Sequence, residues 1–172
     1  MPPREALARL EKLRREPAVV DAALVAARVA LAWLFVYHGA GTLFGAFHGA
    51  GINRMALFFS TTAHLHPGTF FAVLNGITEF FGGIAVGVGL LSRLAAVGLF
   101  FDMVVAMVTV SFRNGVVSGT GGSGYEINVA LAGLALVAVF LGAGRLSVDA
   151  WIGKVFTKRA SLPVEPHPAK SP

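Results

Sequence analysis

The chain has 172 residues, of which 55% are apolar and only 13% are charged, and its mean hydropathy is +0.71. Soluble domains carry about a quarter charged residues, so this composition indicates an integral membrane protein. The sequence contains no Cys, which excludes disulfide exchange, thiolate nucleophiles and Cys-ligated iron–sulfur clusters. The net charge of +5 does not predict a nucleic-acid partner, because membrane topology accounts for the distribution of the basic residues.

Residues 1–18 form a basic N-terminal tail that lacks the apolar core of a signal peptide. Leu7, Leu10 and Leu13 recur in it at helical spacing among basic residues. This pattern is typical of an amphipathic helix lying on anionic lipid, and a helix that binds a protein partner has the same pattern.

Four apolar segments follow, at about residues 19–44, 70–91, 94–112 and 125–143, each near the ~20 residues that span a bilayer as a helix. The sequence therefore predicts an all-α membrane protein whose domain, residues 19–144, is a four-transmembrane-helix bundle. The segment INRMALFF between the first two spans predicts a short interfacial helix, and residues 113–124 predict a flexible Gly-rich connector.

The basic residues predict the orientation. Eleven of the 14 Lys and Arg residues lie in the N-terminal tail, in the turn between the second and third spans, and after the fourth span. By the positive-inside rule, both termini are predicted to be cytoplasmic, in the inner membrane.

Residues 145–157 predict an interfacial amphipathic segment with Trp151 at the depth of the lipid headgroups. The Pro-rich residues 158–172 are predicted to be disordered.

Two carboxylates lie near the middle of predicted spans. Glu79 is tenth in the second span and Asp102 is ninth in the third, and both are flanked by small or polar residues at helical offsets, among them Asn75. A short turn joins these spans, so we expect the two acids to lie close together near the midplane, where both cannot easily ionise. His38 and Arg28 of the first span are the candidate compensating groups. An interhelical hydrogen-bond clamp without chemistry is the alternative role for the acids.

The remaining polar residues do not predict a metal site or a haem site. His64 and His66 lie two residues apart in a loop without further ligands, so no metal site is predicted. His38 alone cannot provide the two facing histidines of a membrane haem, and no electron centre is visible. Tyr125, Glu126 and Asn128 place polar groups at the outer end of the fourth span.

Several of these stretches resemble the DoxX family of small four-helix bacterial and archaeal membrane proteins, which has DoxD-like relatives. The resemblance spans about residues 25–152. It rests on TEFFGGIAVGVGLLSRLAA, on Gly-Tyr-Glu at 124–126, on GAGRLSVDAW at 142–151 and on VYHGAGTLFG in the first span. In this last stretch the family often has a Lys, which is absent here. The resemblance implies a four-helix bundle and links to thiosulfate:quinone oxidoreduction and to complexes handling oxidative and thiol stress. The matching positions are Glu79, Gly82, Gly83, Arg93, Tyr125, Glu126, Arg145 and Asp149.

The sequence leaves three functions open. In the first, the chain is a quinone-binding or membrane-anchoring subunit of an oxidoreductase complex. Glu79, Asp102 and His38 then form a proton relay and a soluble redox protein supplies electrons. Asn75, Gly82, Gly83, Tyr125, Glu126, Asn128 and Arg28 are its candidate binding residues. In the second, it is a non-catalytic scaffold that recruits soluble redox enzymes. In the third, it is a small-molecule or proton carrier, which at this size requires a homo-oligomer.

Overall fold

The computed structural model describes residues 17–117 and 123–160, and within them the chain is all-helical, as predicted. The predictions for residues 1–16, for residues 161–172 and for positions 118–122 of the Gly-rich connector lie outside the described residues. The helices are α1 (Pro17–Phe44), α2 (Gly51–Thr61), α3 (Gly68–Val88), α4 (Ser92–Ala106), α5 (Glu126–Leu141) and α6 (Val148–Ala160). A 3₁₀ turn, Ala46–His48, follows α1, and a π-helical turn, Met107–Ser111, and a 3₁₀ turn, Phe112–Asn114, continue α4.

Among the described residues, three helical segments are long and apolar enough to cross a membrane: α1, α3, and α4 with its continuation to Asn114. Helix α5 is also apolar but has 16 residues. Large apolar side chains cover the outward faces; Trp33 is 75% exposed, and Leu94 and Phe140 are each 71% exposed. Such a surface is consistent with contact with lipid, because water would not tolerate an apolar patch of this extent.

Helices α1 and α3 form a close crossing through small residues. Gly39 of α1 packs directly on the backbone of Phe80, and a Cβ atom at position 39 would lie only 2.7 Å from the Cα atom of Phe80. One turn further along α3, Gly83 packs against Phe35 and Val36. The small-residue face of the second predicted span is therefore its contact with the first span, as expected where backbones approach without a hydrophobic driving force.

A three-residue turn makes α3 and α4 antiparallel neighbours. Gly89 ends α3 in the left-handed conformation (φ +77°), and its N–H donates to Ala85 O at 2.9 Å, which completes a common helix C-cap. The start of α4 is capped from α6: the Asp149 carboxylate accepts from the N–H groups of Leu91 (2.8 Å) and Ser92 (3.1 Å). Burial raises the pKa of Asp149, but these hydrogen bonds outweigh burial and hold it below its usual value.

Helix α5 runs antiparallel along α4 and its continuation. At one end the Ser111 hydroxyl donates to Asn128 Oδ1 at 2.9 Å, and at the other the Arg93 guanidinium donates to Phe140 O at 3.5 Å. Helix α5 thus lies along this segment between the side chains of Arg93 and Ser111.

Arg28 ties the helices together at the end that holds the α3–α4 turn. Its guanidinium is buried and donates to four backbone carbonyls at 2.7–2.9 Å. These carbonyls belong to the end of α3 and to the segment after α5, and the four acceptors are Val86, Gly87, Ala143 and Leu146. Beside it, Asp21 pairs with Arg145 at 2.6 Å.

Buried apolar side chains form two clusters at different depths. The cluster on the Arg28 side contains Leu31, Phe35, Val86 and Leu99, and it packs α1, α3, α4 and α5 together. The other contains Phe59, Ala63 and Ala72 and joins α2 to α3.

Candidate functional site

An open cavity of about 900 Å³ occupies the half of the molecule away from Arg28. Its walls are the C-terminal half of α1, helix α2, the N-terminal half of α3, the C-terminal half of α4 with its π-helical turn, and the start of α5. This volume lies in the range of sites for small molecules and cofactors, which are mostly apolar with a few placed polar groups. The cluster around Leu31 and Leu99 packs the other half of the bundle, on the Arg28 side.

The two predicted carboxyl groups meet in this cavity. Glu79 of α3 is 8% exposed, and its carboxyl lies close enough to that of Asp102 of α4 for the two to interact electrostatically. Asn75, one turn before Glu79, donates from Nδ2 to Asp102 Oδ1 at 2.9 Å. Asp102 Oδ2 is buried and has no hydrogen-bond partner within the described part of the chain. A buried, unpartnered carboxyl oxygen costs free energy, so it marks a point where a ligand can gain binding energy.

His38 lies on the α1 wall of the same cavity. The contact between Gly39 and Phe80 sets His38 at the depth of Glu79, because each is the chain neighbour of a contacting residue. The side chain of His38 is exposed, and Tyr37 packs edge-on against its ring at a centroid distance of 5.6 Å. The structure thus brings Glu79, Asp102, Asn75 and His38 to one cavity.

Aromatic rings form much of the apolar wall. Phe58 and Phe59 come from α2, Phe71 from α3 and Phe101 from α4, and Tyr37 stacks on Phe47 at 4.9 Å. Sequence reasoning missed these residues. The only signal was the apolar segment INRMALFF, which does form a helix, α2, but nothing in the sequence indicates that this helix folds against α3 and contributes Phe58 and Phe59 to the wall.

The hydrogen-bond donors on the α4–α5 wall are used within the protein. Asn128, a predicted binding residue, lines the cavity, accepts from Ser111, and directs its amide at Met103 Sδ at 3.7 Å. Thr109 lies in the π-helical turn and donates to Val105 O at 2.7 Å. π-helical turns inside α-helices occur frequently at functional sites, and this one borders the cavity.

Five other predicted site residues lie outside the cavity lining. Arg28 is bonded to carbonyls of Val86 and Gly87, about 10 Å of helix rise from Glu79, so it does not face the two acids. Gly82 packs against Leu99, and Gly83 against α1. The other two are at the start of α5, where Tyr125 stacks on Phe112 and the Glu126 N–H donates to Val116 O.

The described residues contain no group of three or more His, Asp or Glu side chains arranged to hold a metal ion. His64 and His66 therefore have no acidic or imidazole partners of that kind in residues 17–117 and 123–160.

The fold and site define an α-helical protein with membrane-span helices and a carboxyl-containing cavity in one half of the bundle. A protein-family model described as DoxX matches residues 23–111, just over half of the chain, and the chain belongs to the DoxX family. The matched range covers most of α1 and all of α2, α3 and α4, so it includes both Glu79 and Asp102. Neither the curated proteins nor the solved structures gave a match.

Proposed function

We propose that this DoxX protein is a membrane subunit that binds a quinone in the carboxyl-containing cavity and exchanges protons with it. The observation that carries the proposal is the cavity of about 900 Å³ with Glu79, Asp102 and an unpartnered Asp102 oxygen in its lining. The aromatic walls suit a flat ring, since rings gain from stacked and edge-on contacts beyond the area that they bury.

Glu79, Asp102 and His38 are the proposed proton relay. Reduction of a quinone to a hydroquinone takes up two electrons and two protons, one proton on each oxygen, and oxidation releases them. Two close carboxyl groups in a low dielectric readily share one proton. His38, on the exposed wall of the same cavity, is the residue proposed to pass protons between this pair and the cavity opening. Asn75 holds Asp102 in place as the pair changes protonation.

The electrons come from outside this chain. We propose a soluble redox protein as the donor or acceptor of the electron pair, because the sequence has no Cys and the described residues hold no metal-ligand cluster. In this proposal the chain itself binds the lipid-soluble quinone and exchanges protons with it.

The proposed topology has four crossings of the inner membrane, with both termini in the cytoplasm. Helix α5 has a rise of only about 24 Å against a hydrocarbon core of ~30 Å. It is nevertheless proposed to cross, because it extends beside α4 from Ser111 to Arg93. With this topology the basic α3–α4 turn is cytoplasmic and the cavity lies in the outer half of the membrane.

The alternative roles fit the geometry less well. In a scaffold the two acids would only form hydrogen bonds between tightly packed helices, whereas here they line an open cavity. A carrier needs a path through the bundle, whereas buried apolar side chains fill the half on the Arg28 side.

Thermal unfolding of the purified protein with a short-chain ubiquinone analogue tests the proposal. We expect saturating analogue to raise the midpoint, because a ligand that binds only the folded state stabilises it. Ala106→Trp, which fills the cavity from α4, is expected to abolish the shift; Val108→Trp, on an outward-facing position that is 66% exposed, is expected to retain it. An unchanged wild-type midpoint at saturation would contradict the proposal and favour the scaffold.

Single-cysteine labelling tests the topology, and the Cys-free sequence makes it straightforward. In intact cells, a membrane-impermeant maleimide is expected to label Asn53→Cys and to leave Arg93→Cys unlabelled until the cells are opened. Labelling of Arg93→Cys from outside would reverse the orientation.

A further inference from the structure

The two carboxyl groups of the cavity leave a hydrogen-bond acceptor open. Within residues 17–117 and 123–160, Asp102 Oδ2 is buried without a partner, while Oδ1 already accepts from Asn75. Glu79 adds a second carboxyl group within electrostatic reach. An ionised carboxylate only accepts hydrogen bonds, and a pair of carboxyls that shares one proton still has more acceptor than donor capacity.

The polar side chains on the neighbouring α4–α5 wall direct their hydrogen bonds elsewhere in the protein. The Ser111 hydroxyl donates to Asn128, the Asn128 amide is directed at Met103 Sδ, and the Thr109 hydroxyl donates to the carbonyl of Val105. No Lys or Arg lines the cavity among the described residues, and His38 is on the exposed wall. A donor group on a ligand can therefore satisfy Asp102 Oδ2, the buried acceptor that the described residues leave open.

We infer that the cavity selects ligands whose head group donates hydrogen bonds, a hydroxyl or an ammonium, in front of a flat or apolar body. The inference rests on the proposed function, and within a quinone couple it means that the reduced hydroquinone binds more tightly than the quinone. A hydroquinone presents two O–H donors, one of which satisfies Asp102 Oδ2, whereas a quinone presents only acceptors to an acceptor-rich surface.

The expected preference is at least about tenfold. A hydrogen bond to a charged group contributes enough free energy for a factor of ten or more in affinity, and placing a carbonyl against a buried carboxylate oxygen adds repulsion. A tenfold preference for the reduced form raises the two-electron potential of the bound couple by about 30 mV.

Binding of four probes with the same decyl tail tests the inference. They are a benzohydroquinone, the corresponding benzoquinone, the hydroquinone dimethyl ether, which keeps the shape without O–H groups, and a benzylammonium. Affinities are measured anaerobically by calorimetry with the full-length protein in lipid nanodiscs. We expect the hydroquinone to bind at least about tenfold more tightly than both the quinone and the dimethyl ether. Tighter binding of the ammonium than of the ether also supports a donor head group and identifies ammonium as an accepted source.

Asp102→Asn provides the sharpest variant. It retains Oδ1 for Asn75 and replaces the unpartnered oxygen by an NH₂ donor, so the quinone is expected to bind as tightly as the hydroquinone or more tightly. Thr109→Val is the matched control: its hydroxyl lines the same cavity but donates to its own helix, so the preference is expected to persist.

The outcomes separate the two proposals. If hydroquinone, quinone and ether bind with equal affinity, or if the quinone binds most tightly, the donor inference is overturned while the ligand-binding cavity stands. If none of the probes binds, the proposed function fails as well. The wild-type ratio of hydroquinone to ether is decisive even if Asp102→Asn does not fold.

Discussion

Replacing Arg28 by Met is expected to destabilise the protein by about 3 kcal/mol. The buried guanidinium donates to four carbonyls, and the variant removes all four bonds while keeping an apolar stem of similar length. Ala143 O then loses the buried bond that it accepts, which costs about 1–3 kcal/mol. Val86 O keeps the bond from the Gly89 N–H, and the carbonyls of Gly87 and Leu146 are only part-buried, so these three together cost less than three full bonds.

Thermal unfolding in detergent, followed by intrinsic fluorescence, measures this loss. For a chain of this size about 3 kcal/mol corresponds to a fall of roughly 6–12 °C in the midpoint. Arg93→Met is the matched control, because Arg93 is exposed and makes a single long bond of 3.5 Å to Phe140 O, so its midpoint is expected to change by less than about 2 °C. Equal midpoints for the Arg28→Met and Arg93→Met variants would refute the assignment of Arg28 as the tie between α3 and the segment after α5.

Three further predictions concern stability. Asp149→Ala is expected to cost about 1 kcal/mol at pH 7, as loss of a helix cap does. Because the pKa of Asp149 is lowered in the folded state, the wild type loses this contribution as the pH falls below about 4. The stabilities of wild type and variant are therefore expected to converge at acid pH, and a constant difference would contradict the cap. Gly39→Ala is expected to lower stability by about 1–3 kcal/mol in chemical unfolding, since the new Cβ meets the backbone of a neighbouring helix. Gly133→Ala is expected to be neutral or stabilising, because its new Cβ would meet no neighbouring element of the described chain within 4 Å. Equal effects would refute the close crossing. Arg145→Met is expected to cost less than Arg28→Met in the same assay, because the Arg145 side chain is 63% exposed and its backbone N–H still donates to Asp21 Oδ1 in the variant. A loss as large as that of Arg28→Met would contradict this reasoning.

The pairing of Glu79 with Asp102 could be predicted from the sequence because it follows from the position of each acid within its predicted span. Both acids are nine or ten residues into their predicted spans, and a short turn forces those spans to be antiparallel neighbours, so equal depth gives proximity. Asn75 follows from the same reasoning, since it is one helical turn before Glu79 and on the same face.

The position of Arg28 could not be predicted in this way. Its four acceptors lie on two elements far apart in the chain, and backbone carbonyls have no sequence signature. The sequence shows an ionisable residue in a span and predicts an acidic partner. The structure instead pairs the guanidinium with carbonyls at the end of α3 and in the segment after α5.

The aromatic wall of the cavity could not be predicted from the sequence for a related reason. Phe58 and Phe59 reach the cavity only because α2 folds back on α3, where Gly68 approaches Ala56 and Ser60 closely. Hydrophobic periodicity predicts that such a helix exists but does not say which neighbour covers it.

A crystal structure of the protein grown with a bromine-substituted benzohydroquinone tests whether the cavity binds a hydroquinone at the Glu79–Asp102 pair. Anomalous scattering locates the bromine independently of the protein phases. We expect a bromine peak inside the cavity between Phe101 and the Glu79–Asp102 pair, with a ring hydroxyl within hydrogen-bond distance of Asp102 Oδ2. Bromine found only on the lipid-facing surface, or a cavity closed by its own side chains around the two acids, would contradict it.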